Sequence, residues 1–135
     1  MRRVVFAATI SCILLASCTP ATVSSFPAEY QARWRESDAT DGCSAGSVHG
    51  AITIAAKSVT DGEFSSKVQR FQVASPRSLI VDELFNDFEE GPQRYTSTYI
   101  LSDDGQRLTV RMTSQNNQKI ESEPAEYIKC GSRNG

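Results

Sequence analysis

The stretch Tyr95-Thr96-Ser97-Thr98-Tyr99-Ile100-Leu101-Ser102-Asp103-Asp104-Gly105-Gln106-Arg107-Leu108-Thr109-Val110-Arg111-Met112 decides the fold class. Its first seven residues are mostly aromatic and β-branched, which suits a pleated, half-buried surface. Asp104-Gly105 supplies the positive φ angles of a tight turn, and Leu108 to Met112 alternates apolar and polar on the way back. This is the strongest hairpin in the chain.

Working outward, further strands appear on both sides. Ala51-Ile52-Thr53-Ile54-Ala55 alternates so that Ile52 and Ile54 share one face. Asp61-Gly62 marks a hairpin turn between Ser58-Val59-Thr60 and Glu63-Phe64-Ser65, and Val68 to Val73 gives another strand before Pro76. Tyr30-Gln31-Ala32-Arg33-Trp34 reads as a first strand with Trp34 as a core plug, and Tyr127-Ile128-Lys129-Cys130 as a last one. One segment breaks the pattern. Ile80, Val81, Leu84, Phe85 and Phe88 follow i, i+3, i+4 spacing between Ser75-Pro76 and Gly91-Pro92, which favours a short helix over 79–88 with a strand as the alternative. Six to eight short strands and at most one short helix predict a mainly β fold, a small antiparallel barrel or sandwich, with a lipocalin-like meander among the options.

The chain has 135 residues, 39% of them apolar and 22% charged, with a formal net charge of -2, so its length allows one domain. No apolar run outside the N-terminus is long enough to span a bilayer. A near-neutral charge gives no reason to expect a nucleic-acid partner.

Residues 1–17 read as an export signal, with Arg2 and Arg3 ahead of an apolar stretch from Val4 to Ala16. Leu15-Ala16-Ser17-Cys18 then resembles the bacterial lipoprotein box, which implies cleavage before Cys18, a thioether-linked diacylglycerol on its sulfur, and anchoring without a membrane span. Thr19 stands where enterobacterial lipoproteins kept in the inner membrane carry aspartate, which implies the outer membrane. Removal of residues 1–17 leaves 118 residues; Arg2 and Arg3 go with them, leaving 12 basic and 16 acidic side chains, net -4. Residues 18–25 are expected to form a flexible tether, and residues 26–135 a single domain.

With Cys12 cleaved away and Cys18 lipidated, Cys43 and Cys130 remain as the expected disulfide of an oxidising compartment. A reactive or metal-binding thiol pair is the rival, but the chain offers neither C-x-x-C spacing nor neighbouring histidines. His49 is the only histidine and sits in a polar turn, so neither a multi-imidazole metal site nor a Ser-His-Asp triad is expected. Asp82, Glu83, Asp87, Glu89 and Glu90 form the densest charge cluster. On a helix Glu83 and Asp87 share a face, and paired carboxylates serve glycosidases or calcium sites; a solvated outer face is the simpler expectation. Arg33, Arg35, Arg70 and Arg94 stand among Trp34, Phe71 and Tyr95, which allows a basic binding stripe, but such a pattern is ordinary for outward-facing strand positions.

The lipoprotein box, Phe26-Pro27 with Trp34, Cys43, Ile52-Thr53-Ile54, the 101–105 hairpin turn, and Tyr127 with Cys130 together resemble small lipoproteins of Proteobacteria, a group without an assigned activity. That resemblance implies a strand at 79–88. Ala32-Arg33-Trp34 is loosely similar to the Gly-x-Trp of the first lipocalin strand, without the glycine. The leading functional expectation is a non-catalytic binding or structural module, lipid-anchored in the outer membrane and facing the periplasm. It would meet an envelope protein or cell-wall partner through a strand edge or loop, as periplasmic enzyme inhibitors do, and need no cofactor. The alternative is a carrier of a small apolar ligand in a barrel lined by Trp34, Ile52, Ile54, Phe71 and Tyr99. A hydrolase using the carboxylates is the remaining option.

Overall fold

The computed structural model describes residues 22–44 and 46–131. The expected signal peptide, the residues that resemble a lipoprotein box and the expected lipidation site Cys18 lie outside the described residues. Within them the fold is entirely β: β1 (Arg33–Glu36), β2 (Ala51–Ile54), β3 (Ser58–Asp61), β4 (Phe64–Ser75), β5 (Ser78–Asp87), β6 (Gly91–Leu101), β7 (Arg107–Gln115), β8 (Gln118–Lys119) and β9 (Ala125–Lys129).

Each strand from β1 to β7 pairs antiparallel with the next, β7 pairs with β9, and β9 returns to β1, closing an eight-stranded barrel. The two-residue β8 is a ninth strand on the far end of β7. Of the two architectures expected, the barrel is the one adopted. A free edge runs along β4: past Val68, residues Arg70–Ser75 pair only with β5.

The hairpin over 95–112 forms as expected, with Tyr99 opposite Val110 and Leu101 opposite Leu108. Three other readings are corrected. The expected helix over 79–88 is strand β5, paired along its whole length with β6. Its true period is two: Leu79, Val81, Glu83 and Phe85 face the interior, and the helix pattern arose from treating Glu83 as a surface residue. The first strand starts later than expected, at Arg33, because Ala28–Tyr30 form a turn in which the Tyr30 amide donates to the Pro27 carbonyl at 3.0 Å. The Asp61-Gly62 turn is shifted by one residue: Asp61 pairs with Phe64, so Gly62 and Glu63 form the loop, with Gly62 at φ 60°.

A β-bulge between Val68 and Arg70 explains how Val68, Phe71 and Val73, of mixed parity, all reach the core. The turn into β8 uses Asn116 and Asn117, both at positive φ, the conformation a two-residue hairpin requires.

The interior has two storeys. At the end where the chain enters β1, Phe26, Tyr30 and Trp34 are fully buried and plug the barrel together with Ile54, Leu79, Leu101 and Leu108. The indole Nε1–H of Trp34 donates to the Tyr30 carbonyl at 2.9 Å, and the Phe26 amide donates to Ala56 at 2.8 Å. Lys129 closes this end from below. Its Nζ lies 5.3 Å from the centre of the Trp34 ring and donates to the Glu29 carbonyl at 3.0 Å.

The connection from β1 to β2 folds back over the outer face of β1. Arg33 donates through Nε to the Gly42 carbonyl at 2.8 Å and through its terminal nitrogen to Ser47, and Arg35 donates to Ala39 at 2.9 Å. Gly42 passes so close that a Cβ there would lie 2.7 Å from the Cβ of Arg35. This strap carries Cys43 to Cys130 just past β9, and the two form a disulfide with Cα atoms 5.4 Å apart.

Candidate functional site

Above the plug, the barrel is not filled. A cavity of about 320 Å³ opens at the end carrying the β3–β4 turn, and strands β2 to β7 and β9 all contribute inward side chains to it. Its size is at the lower end of the range for small-ligand sites, about 300–1,000 Å³. Ile52, Val59, Val110 and Met112 give it aliphatic wall. Tyr95, Tyr99 and Tyr127 supply aromatic surface, and Phe64 and Phe85 meet edge to face at 5.4 Å. Phe64 is 60% exposed, so this pair stands at the mouth.

Glu83 is the deepest charged group, only 7% exposed. Ser66 Oγ donates to one of its carboxylate oxygens at 2.6 Å and Tyr99 Oη donates to the other at 2.9 Å. Each residue arrives there through strand pleating: Ser66 from β4, Glu83 from the centre of β5, Tyr99 from β6. Burial pushes the Glu83 carboxyl above its ordinary pKa, and the two hydrogen bonds offset part of that rise. The Tyr99 hydroxyl is pushed well above its usual range by burial and by the neighbouring Glu83 charge. Burial, then Asp61 and Glu36, push Tyr127 up to about 12. Asp61 itself lines the cavity near the turn, while Lys, Arg and His contribute none of the side chains lining it.

Of the five side chains expected to line a barrel cavity, Ile52 and Tyr99 do so. Trp34 and Ile54 belong to the plug beneath, and Phe71 packs against that core, its ring edge-on to Phe26 at 5.1 Å. The acidic cluster is divided by the strand geometry. Glu83 turns inward, correcting the expectation of a solvated face. Asp82 turns outward, 2.7 Å from Arg70 Nε, and accepts from Thr96 Oγ1 at 2.7 Å. Asp87 caps the β5–β6 turn, accepting from the Glu89 and Glu90 amides, bonds that hold its carboxyl below the usual range. Glu83 and Asp87 therefore do not share a helical face.

The arginines take ordinary outward-facing positions: Arg33 and Arg35 pin the strap, and Arg70 pairs with Asp82. His49 is exposed, and no group of three or more metal-binding side chains occurs among the described residues. Sequence reasoning missed Ser66, Ser97, Tyr95 and Tyr127 as lining residues. The period-two register of each strand carried that signal once the barrel is closed.

Neither the protein-family models, nor the curated proteins, nor the solved structures compared with this chain gave a match. Class and site therefore rest on the geometry: a closed antiparallel barrel, plugged at one end and hollow at the other.

Proposed function

We propose that the protein is a non-catalytic binding barrel that takes a small molecule into its lumen, tethered through a lipid on Cys18 to the outer membrane and facing the periplasm. The observation that carries this reading is the one-ended cavity. A barrel with a purely structural role is expected to pack its interior as densely throughout as it does around Trp34, whereas concave, mostly apolar space with a few convergent polar groups is what ligand sites offer.

The test is saturable binding of the neutral fluorophore N-phenyl-1-naphthylamine, with Val110→Trp to fill the lumen. One-to-one binding that the variant weakens at least tenfold supports the reading, and absence of saturable binding overturns it. The anchor has its own test: Cys18→Ala is expected to release the protein from the membrane fraction, and unchanged fractionation refutes lipidation.

A second reading, docking of an envelope protein, is favoured by the free edge of β4 at Arg70–Ser75, where backbone groups are available for an added strand. Val73→Pro, which removes an N–H that faces the free edge and not β5, is expected to abolish such docking while leaving fluorophore binding intact.

A further inference from the structure

We propose that the lumen selects a protonated amine carried on an apolar body, with Glu83 as the group that receives the ammonium. This rests on the reading of the cavity as a ligand site and adds the chemistry of the ligand. Glu83 sits at depth, yet its two hydrogen bonds, from Ser66 and Tyr99, use one acceptor position on each oxygen. A carboxylate has about four such positions, so acceptor capacity remains. Both donors are neutral hydroxyls, and the cavity lining holds no cation to balance the charge.

A buried carboxylate without a counter-ion is an unfavourable arrangement that a bound cation relieves. Arg70 and Arg94 border a separate outer pocket that Glu83 also reaches, but Arg70 is paired with Asp82 and neither arginine forms an ion pair with Glu83. The walls agree with this polarity. Tyr95, Tyr99 and Tyr127 present ring surface that attracts cations, and Asp61 adds a second negative charge on the way in. A primary amine fits better than a quaternary ammonium, because only N–H groups use the remaining acceptor positions of Glu83. An anionic ligand meets two carboxylates and no compensating charge.

The experiment is competition against bound N-phenyl-1-naphthylamine, comparing phenethylamine with its neutral isostere 2-phenylethanol at pH 7. The wild-type chain is expected to bind the amine at least tenfold more tightly than the alcohol. Glu83→Gln, which keeps an acceptor and the side-chain volume, is expected to bring the two within about twofold, each read against the fluorophore's own affinity for that variant. If the fluorophore binds and the amine shows no advantage in the wild type, the amine proposal is overturned and the binding barrel stands. Absence of saturable fluorophore binding overturns the barrel reading instead. A preference that survives Glu83→Gln removes the assignment to Glu83. The wild-type comparison needs no variant, so it decides the proposal even where Glu83→Gln does not fold.

Discussion

Replacement of Cys43 and Cys130 together by serine is expected to destabilise the domain severely. The bridge joins positions 87 residues apart and so closes the chain from the strap through β9 into one loop. In the chain-entropy model, a loop of that length restricts the unfolded ensemble by about 4.6 kcal/mol at 25 °C. For a domain of this size, each kcal/mol moves the melting temperature by roughly 4–8 °C, so the variant should melt about 20 °C or more below the parent. Native contacts do not replace the lost constraint. The strap is held to β1 by the Arg33 and Arg35 bonds, but those act only in the folded state. Urea unfolding of the parent, the reduced parent and the double variant, followed by Trp34 fluorescence, measures the difference. The reduced parent and the double variant should agree with each other and lie well below the oxidised parent. A loss smaller than about 1.5 kcal/mol would refute the argument that this cross-link acts by constraining the unfolded chain.

Trp34→Ala empties the centre of the plug and removes the donor to Tyr30, so a loss of about 3–5 kcal/mol is expected by chemical denaturation; a loss under 1 kcal/mol would mean the plug collapses around the gap. Gly42→Ala forces a Cβ against Arg35 and the Gly50 carbonyl, with an expected cost of about 1–3 kcal/mol, and an unchanged midpoint would show that the strap yields freely. Glu83 carries a pH signature. Its folded pKa is raised above the ordinary 4.5, so the folded state holds the proton more tightly than the unfolded chain, and stability falls as pH rises from about 4.5 through the folded value. Glu83→Gln should be more stable than the parent at pH 7 and should lose that slope; parallel profiles for the two proteins from pH 4.5 to 7 would refute this. The turn carboxylates Asp87 and Asp104 are shifted downward, so their contribution is lost only on acidification below about 3.8 and does not mask the effect.

The parts of the fold legible in the sequence are those specified by neighbouring residues. The 95–112 hairpin needs only alternation and Asp104-Gly105, and both act within a few residues. The strand at 78–87 was obscured because its central inward residue is a carboxylate. Glu83 is tolerated there because Ser66 and Tyr99, 17 and 16 residues away, satisfy it. That solution exists only after β4, β5 and β6 have paired, and no local pattern encodes it. The candidate site was half legible for a related reason. Alternation tells which residues face inward, so Ile52 and Tyr99 were found. How far up the barrel each one sits depends on strand stagger, which separated Trp34, Ile54 and Phe71 into the plug. The bulge at Val68–Arg70 contributed as well, since it resets parity in the middle of β4.

The polarity of the barrel has a practical consequence. The chain enters through Phe26 at the sealed pole, level with Ala56, whereas the opening lies by Asp61 and Phe64, on the order of 15 Å further along β3. Whatever is fastened to the N-terminus, whether an acyl chain, a bead or a sensor surface, grips the molecule by its base and leaves the aperture pointing outward. A fusion at the N-terminus should therefore leave ligand entry unobstructed.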